Sequence, residues 1–432
     1  DLAYRIVVVR YAMLGNRFAR YKEVKIATDV SDKTVAYVNE HMDTLSGISV
    51  NEDMIRKYNY SEYFSSIIGY TGPISESEYT ALHKKNKDYT QNDTVGKAGL
   101  EQYYETYLRG KNGEQKFYID NVGRISEIIS STDSVAGDDL YLSIDADLQK
   151  ATYLALQNEI AAIVYSNIKS GEIPINDVYT ALIGNSVINT EHFSKSKASD
   201  TEKSVLSVFK SRQKTTLGKI KQELTSSPEA LNTMSDEVLD EFTYIISMLK
   251  DDQVLLKNEI DTSDSVYQKW KDQKISPKEY LNYCITQHWI DISQLNVDEK
   301  YADSTEVYDA LCKYILKNIK TDTEFSKIIY QYMITRGEIS PRQLCLILFD
   351  QGVLDYDDAT VNKLKNGSLS PRDFLMKKIY NIEITPAQLA LEPCIGSCVV
   401  TDEKTGEIRA MVSYPGYDSN KLANGVDSEY FA

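Results

Sequence analysis

The pattern of hydrophobic and polar positions divides the chain into three zones. Residues 1 to about 142 carry short apolar runs between glycine-bearing turns, a pattern typical of an α+β segment. The runs that predict strands are 6–9, 24–26, 47–50, 117–121 and 140–144. Residues from about 145 to 390 have the apolar spacing of helices almost throughout. Residues 396–415 return to a strand pattern around a turn at 403–406.

The helical zone contains an internal repeat. The segment 237–240 and the apolar positions after it are echoed by residues 306–309 and their successors. Each copy is followed by a helix start at 276–277 or 340–341, in which Ser is the N-cap and Pro the first helical residue. A weaker copy and two partial starts lie at 177–189, 370–371 and 385–386. We predict a tandem repeat of roughly 60 residues that stacks helix pairs to bury their apolar faces.

The charge balance restricts the possible partners. The 432 residues include 48 Lys and Arg against 64 Asp and Glu, a formal net charge of −16. Such a chain is a poor general binder of nucleic acid or of anionic membranes, because phosphate neutralisation requires clustered cations. No apolar run approaches the roughly 18 residues that a membrane span needs. The sequence has neither an initiator Met nor a signal peptide, so we expect it to be a segment of a longer protein.

The cysteines offer one alternative that involves a metal. Five cysteines in a chain of this length do not form a disulfide framework. Cys394 with Cys398, and Cys284 with His288, are four positions apart, which on a helix places two ligands on one face. The sequence has no complementary pair elsewhere, so we favour buried, unreactive cysteines over a metal site.

Short motifs occur in a fixed order at both ends of the chain. They are Gly-Lys-Ala-Gly-Leu-Glu at 96–101, Leu-Arg-Gly at 108–110, Leu-Ser-Ile-Asp-Ala-Asp-Leu-Gln at 142–149, Gly-Ser-Cys-Val-Val-Thr-Asp at 396–402 and Thr-Gly-Glu-Ile at 405–408. This set resembles class B penicillin-binding proteins, the transpeptidases that cross-link peptidoglycan. The resemblance covers about 1–165 and 385–432.

The resemblance implies a division of the chain into four parts. These are a pedestal (dimerisation) domain at 1–142, the first helix of a transpeptidase domain at 143–165, a helical insertion at 166–385 and the first strand hairpin of the transpeptidase domain at 386–432. We expect the first helix to pack beside the hairpin through apolar side chains. The side chains concerned are Leu148, Tyr153, Leu154 and Leu156.

One motif of the pedestal is a candidate structural site. Its residues are Gly96, Gly99, Leu100, Glu101, Arg109 and Gly110. The glycines permit a positive φ or a close backbone approach, and Glu101 beside Arg109 suggests an ion pair. The residues Leu100, Tyr103, Tyr104 and Tyr107 have helical spacing and are predicted to bury one face. We interpret the motif as an architectural clamp rather than a ligand site.

The catalytic motifs of the family are matched only by fragments. Such transpeptidases use a Ser with a Lys three residues on, then Ser-x-Asn, then Lys-Thr-Gly, in that order. Fragments occur at Ser194–Lys197, Ser207–Lys210, Ser211–Lys214, Ser49–Asn51 and Lys404–Gly406. Their order or their position is wrong, so we interpret all of them as coincidental. We expect no catalytic residue, cofactor site or metal site within these 432 residues.

The resemblance also implies a location and a set of partners. The parent would be a serine-type D,D-transpeptidase held at the cell membrane by one N-terminal helix, with these domains on the extracytoplasmic side. Its ligands would be peptidoglycan stem peptides and β-lactams, and no cofactor is implied. Other wall-synthesis proteins are expected to bind the pedestal and the insertion, and the acidic loops favour a basic partner. Two alternatives are a scaffold without an active site and a helical-repeat protein unrelated to cell walls.

Overall fold

The computed structural model describes the chain except for a set of short segments. These are residues 1, 16–23, 25, 28–29, 46–47, 49, 51–54, 92, 120–124, 227–228, 296, 298–301, 424–429 and 431–432. The chain folds into two compact units, one made of 1–154 with 397–432 and the other of 155–396. The class is mixed α+β and rich in helix, which confirms the coarse prediction.

The first unit combines short helices with two-stranded antiparallel sheets. Its elements are α1 (Leu2–Gly15), α2 (Asp32–Glu40), α3 (Ser61–Ile68), β1 (Thr71–Pro73), α4 (Glu76–Lys85), β2 (Thr94–Gly96), α5 (Gly99–Tyr103), α6 (Glu105–Leu108), β3 (Glu114–Ile119), β4 (Ile125–Thr132) and the start of α7 (Ala146–Ser170). Strand β1 pairs with β2, with Thr71 opposite Gly96, and β3 pairs with β4.

The second unit is helical. Its elements are the rest of α7, then α8 (Ile175–Gly184), α9 (Asp200–Thr225), α10 (Asp236–Asp251), α11 (Ser265–Lys271), α12 (Pro277–Thr286), α13 (Ser304–Ile319), α14 (Thr323–Thr335), α15 (Pro341–Asp350), α16 (Asp358–Asn366), α17 (Pro371–Tyr380) and α18 (Pro386–Leu389). The chain then returns to the first unit, where it forms β5 (Gly396–Thr401), β6 (Ile408–Tyr414) and α19 (Ser419–Leu422). None of the described helices is long and apolar enough to cross a bilayer.

Two of the predicted strands are wrong. Residues 6–9 belong to helix α1, because a continuous apolar run carries no alternation and fits a helix as well as a strand. Residues 140–144 form no strand. Residues 117–119 lie in β3 as predicted, and 120–121 fall outside the described residues. The strand return after residue 396 is confirmed by β5 and β6, which are joined by a turn with φ +75° at Gly406.

The segments of 24–26 and 47–50 are covered only in part. Residues 25, 47 and 49 lie outside the described residues, and residues 24, 26, 48 and 50 are not in strands.

A ten-residue helix occurs four times in the second unit, as α8, α12, α15 and α17. In every copy a left-handed residue precedes the helix and another follows it 15 positions later. These pairs are Gly171 and Ser186, Gln273 and His288, Gly337 and Gly352, and Gly367 and Ile382. Two positions after each left-handed residue stands an Ile or Leu with its side chain buried or half-buried. The left-handed residue ends one helix, and the aliphatic side chain anchors the chain as it turns into the next element.

A helical unit therefore recurs, but its four copies do not follow one period of roughly 60 residues. The 237–240 and 306–309 segments do begin equivalent 16-residue helices, α10 and α13. The copies at 177–189 and 370–371 are complete ten-residue units, however, and the four copies are unevenly spaced. A repeat aligned on helix sequence misses this regularity, because the constant feature is the backbone conformation of the turns.

A cluster of buried charges lies among α9, α10 and the end of α14. Glu237 is 3% exposed and accepts hydrogen bonds from Arg212 at 2.9 and 3.0 Å and from Arg336 at 2.7 Å. Glu241, one helical turn further on, is 1% exposed and has no ion-pair partner among the described residues. Burial first, and then the neighbouring Glu237 carboxylate, raise the pKa of Glu241 to about 8.

Glu241 makes the stability of the helical unit dependent on pH. Its carboxyl binds a proton more tightly in the folded chain than in the unfolded one, so its contribution is complete below about pH 4.5 and lost as the pH rises through about 8. Replacing Glu241 with Gln should reduce the loss of unfolding free energy between about pH 4.5 and pH 8 by on the order of 3 kcal/mol. Urea unfolding of the wild type and the variant at a series of pH values measures it. The exposed Glu324→Gln is the control, and equal slopes for wild type and Glu241→Gln would contradict the assignment.

The repeated turns predict opposite effects for two substitutions at equivalent positions. Gly352→Ala places a β-carbon on a residue with φ +71° and should lower the free energy of unfolding by about 1 kcal/mol. His288→Gly relieves the same strain at φ +58°, where the side chain is exposed. This substitution should raise the free energy of unfolding by about 0.5 kcal/mol. Urea midpoints measure both, and two shifts of the same sign would refute a common turn geometry.

Candidate functional site: the glycine–glutamate motif and its surroundings

The glycines of the motif bring backbone segments into close contact. A β-carbon on Gly96 would lie 2.1 Å from the carbonyl group of Glu101. Gly99 has φ +59°, and its β-carbon would lie 2.4 Å from the carbonyl oxygen of Ile67. Gly69 has φ +78°, and a β-carbon there would lie 2.0 Å from the carbonyl oxygen of Ala98. A side chain at Gly96 or Gly99 would therefore displace backbone.

Glu101 is the buried acid of the motif. Its side chain, on α5, accepts hydrogen bonds from Arg56 Nε at 2.8 Å and Arg56 Nη2 at 2.9 Å. The Tyr58 hydroxyl lies 3.3 Å from the same carboxylate, and its oxygen accepts the Thr71 N–H at 3.0 Å. Burial raises the pKa of Tyr58 to about 12. The carboxylate therefore connects the segment before α3 to helix α5 and, through Tyr58, to strand β1.

The predicted ion pair between Glu101 and Arg109 is wrong. Arg109 donates instead to Asp93 Oδ2 at 2.5 Å and to the carbonyl of Asp88 at 2.9 Å, and its guanidinium lies 4.0 Å from the centre of the Tyr89 ring. The helix is interrupted at residue 104 and Arg109 is the residue that follows α6, so the two side chains bind different neighbours.

The predicted aromatic face is also wrong. Tyr103 is 79% exposed and Tyr107 is 61% exposed, while Leu100 and Tyr104 are only half-buried. Because α5 is only five residues long, the position that points inward is taken by Glu101.

Glu105 is a member of the site that sequence reasoning missed. One of its oxygens accepts the backbone N–H of Gly96 at 2.8 Å, and the other accepts the Tyr89 hydroxyl at 3.2 Å. Burial raises the pKa of Glu105 above its usual range despite these hydrogen bonds. The sequence signal for Glu105 was its position four residues after Glu101, which suggests a second acid on the same helical face. Because the helix is interrupted at residue 104, the two acids bind different neighbours.

A second glycine contact closes the other end of the motif. Gly110 has φ +72°, and a β-carbon there would lie 2.2 Å from the carbonyl oxygen of Val135. A β-carbon on Gly137 would likewise lie 2.2 Å from the carbonyl oxygen of Leu108. Residues 108–110 are therefore packed backbone to backbone against residues 135–137.

Gln149 joins the start of α7 to two other elements of the first unit. Its fully buried amide donates to the carbonyl oxygens of Tyr63 at 2.8 Å and Met411 at 2.9 Å, and accepts the N–H of Met411 at 2.8 Å. The expected packing of this helix beside the strand pair is met by Tyr153, which is 4% exposed and has its ring 5.6 Å from that of Tyr414 in β6. Leu148 and Leu154 are each 37% exposed, and Leu156 is half-buried.

The segment after β6 is bound to the same region. The Asn420 side chain accepts the N–H of Tyr58 at 2.8 Å and donates to the carbonyl of Tyr58 at 3.0 Å, as a backbone segment would. A β-carbon on Gly416 would lie 1.9 Å from the carbonyl oxygen of Glu62. Neither Asn420 nor Gly416 belongs to a motif that the sequence singled out.

The fragments of catalytic motifs are explained by local structure. Ser194 donates to the carbonyl of Glu191 within a short 3-10 turn. The pairs Ser207–Lys210 and Ser211–Lys214 lie on exposed positions of α9. The segment 404–406 is the exposed turn between β5 and β6. Residues 49 and 51 lie outside the described residues.

The cysteines do not occupy the helical faces that a two-ligand site would need. Cys284 is fully buried, and burial raises the pKa of its thiol to about 12, whereas His288 is exposed in the turn after α12. Cys394 and Cys398 are not on a helix, so their spacing has no helical meaning. The described residues contain no group of three or more side chains suited to hold a metal ion.

Comparison with known proteins identifies the class of this region. Residues 9–142 match the family model described as Penicillin-binding Protein dimerisation domain. The chain therefore carries such a domain, and the resemblance to class B penicillin-binding proteins is confirmed.

The relatives agree with this assignment. The chain is 29% identical over 157 residues to the Peptidoglycan D,D-transpeptidase MrdA of Salmonella typhimurium strain LT2, an alignment that covers 36% of this chain and 25% of that protein. It is 35% identical over 136 residues to Penicillin-binding protein 2A of Bacillus subtilis strain 168, covering 31% of this chain and 19% of that protein. The chain thus spans about a quarter or less of the length of these relatives.

The buried carboxylate predicts a large effect on stability. Glu101→Gln removes the charge that Arg56 binds and should lower the free energy of unfolding of the first unit by about 3 kcal/mol. Lys116→Ala is the control, because Lys116 and Glu114 form an exposed pair that contributes about 0–1 kcal/mol. Urea unfolding monitored by circular dichroism measures both. A Glu101→Gln effect no larger than that of the control would show that the pair has no structural role.

Replacing Gln149 is expected to change local amide hydrogen exchange. Gln149→Leu keeps the volume but leaves the N–H of Met411 and the carbonyls of Tyr63 and Met411 without their partner. Each unpaired buried group costs about 1–3 kcal/mol. We expect faster amide hydrogen exchange at Met411 than in the wild type, while β3 and β4 exchange unchanged. An unchanged exchange rate at Met411 would contradict the role of Gln149 in joining α7 to α3 and β6.

Proposed function

We propose that this chain is the non-catalytic portion of a penicillin-binding protein that cross-links peptidoglycan. The observation that carries the proposal is the match of residues 9–142 to the penicillin-binding protein dimerisation domain. The relatives named as a peptidoglycan D,D-transpeptidase and as a penicillin-binding protein support the same reaction class. In this proposal the acyl-transfer serine lies outside residues 1–432, and the parent carries these domains on the extracytoplasmic side of the cell membrane.

The structural motif has a mechanical role in this proposal. Glu101, Arg109 and the glycines at 96, 99 and 110 form a rigid clamp within the pedestal, supported by contacts between backbone segments and by two ion pairs whose carboxylates are largely buried. Gln149 and Asn420 bind the start of the transpeptidase domain to residues 58–63 of the same unit. Such contacts hold a domain in a defined orientation and supply no reactive group.

The domain division is part of the proposal. Residues 1–142 are assigned to the pedestal, 143–165 and 386–432 to the transpeptidase domain, and 166–385 to an inserted helical block that docks other wall-synthesis proteins. Support comes from the separate compactness of residues 155–396 and from their repeated helical units, because helical repeats offer extended binding surfaces.

The activity part is tested with a fluorescent penicillin. We expect the 432-residue chain to form no covalent adduct, and the parent to form one that survives denaturation. The triple variant with Ala at 194, 207 and 211 is the control for the coincidental motifs. A labelled band from the chain that disappears in this variant would refute the non-catalytic assignment.

The insertion part is tested by deleting residues 166–385 from the parent and joining the ends with a short linker. Retained acylation with lost growth or with mislocalisation is the result expected of a docking block. Retained acylation with normal growth would mean that the block is a passive spacer. The control is a parent in which residues 166–385 are replaced by a helical block of the same length and scrambled sequence. A deletion elsewhere in the parent would remove other functions and is not a matched control.

A further inference from the structure

A groove on the helical unit differs in charge from the chain as a whole. Its volume is about 310 Å³, within the range of ligand pockets. Its lining includes Leu231, Ile246, Lys250, Trp270, Lys271 and Gln273. The only charged residues of this lining are the two lysines, in a chain whose net charge is −16.

The two lysines are available to a ligand. Lys250 is half-buried in the last turn of α10, and Lys271 is exposed at the end of α11. Neither has an ion-pair partner among the described residues, whereas the nearby Lys274 is paired with Asp272 at 2.8 Å. Two unpaired ammonium groups on one groove attract carboxylates.

The apolar part of the groove is preorganised. Trp270 forms one wall, and its ring is stacked on that of the buried Tyr280 with centroids 4.5 Å apart and an angle of 7°. Ile246 and Leu231 are 5% and 3% exposed and form the base. An apolar side chain that enters the groove therefore meets a fixed aromatic surface and pays little to order it.

Backbone hydrogen bonds hold the rim in place. The N–H of Asn232 donates to the carbonyl of Gln273 at 2.9 Å, and the N–H of Leu231 donates to that of Ile275 at 3.2 Å. The Asp264 side chain caps α11 by accepting two backbone N–H groups, and it also accepts the Tyr283 hydroxyl at 2.8 Å. The groove is thus built from three elements that are fixed to one another without a ligand.

We propose that this groove binds an acidic peptide segment of a partner protein, with one large apolar side chain against Trp270 and carboxylates at Lys250 and Lys271. Charge complementarity and the single aromatic wall select this occupant over a basic segment. The overall acidity of the chain predicts a basic partner elsewhere on its surface, and the groove is a local exception to it. The inference rests on the docking role proposed for the helical unit.

The test uses intrinsic fluorescence, because the chain has only two tryptophans and Trp289 is 6% exposed. In the Trp289→Phe background, Trp270 alone reports on the groove. The probes are ten-residue peptides rich in Asp and Glu with a central Leu or Phe, the same peptides with a central Ser, and the Lys-rich counterparts. We expect saturable binding of the acidic apolar peptides with a Kd of about 100 μM, weakening between 50 and 300 mM salt.

Paired charge variants decide whether the groove is the site. Lys250→Glu with Lys271→Glu should weaken binding at least tenfold. Lys197→Glu with Lys210→Glu changes the net charge equally at exposed positions outside the groove and should leave the affinity within twofold. Circular dichroism confirms that both double variants are folded.

Three results would overturn the proposal. They are no saturable binding by any acidic peptide, tighter binding of the Lys-rich peptides, and equal loss of affinity in the two double variants. The assay measures binding without acylation, so its failure would leave the penicillin-labelling result standing. Failure of that labelling result would in turn leave the peptide affinity unchanged.

Discussion

The first unit depends on the satisfaction of one buried primary amide. Gln149 has no exposed surface, and its amide bonds to backbone groups of α3 and β6, which lie far apart in sequence. An amide can donate and accept at once, so it can pair with a strand as a neighbouring strand would. An apolar residue of equal size would fill the space but leave three backbone groups unpaired, and an acid could not donate. These bonds hold the beginning of α7 against β6, and the segment after β6 is bound separately, through Asn420, to the backbone of Tyr58.

The motif around Glu101 follows a different principle. Close backbone packing at glycines leaves little room for side chains, so the few side chains that remain must be fully paired. Glu101, Glu105 and Arg109 each have at least two hydrogen-bonding partners, and no two of them bind each other. Glu101 thus has its own set of partners, whereas Glu105 and Arg109 are linked through Tyr89, which contacts both.

The sequence predicts correctly those parts of the fold that depend only on neighbouring residues. The caps at Ser276 and Ser340, the turn at Gly406 and the close approach at Gly96 follow from the chemistry of one or two residues. The partner of Arg109 could not be predicted in this way. The helix is interrupted at residue 104, and Arg109 lies beyond the end of α6. Gln149 binds Met411 and Asn420 binds Tyr58, in each case more than 250 residues away in the chain. Nothing in the sequence around Gln149 or Asn420 indicates which groups they meet.

The turns of the helical unit have an evolutionary consequence. Each ten-residue helix is bounded by its own left-handed residue and its own aliphatic anchor at both ends, so it begins and ends independently of the length of chain between copies. Those intervening lengths differ from one copy to the next. Segments can therefore be gained or lost between the units by whole helices without altering the geometry of the junctions. A lineage could vary the extent of this region while keeping each joint intact.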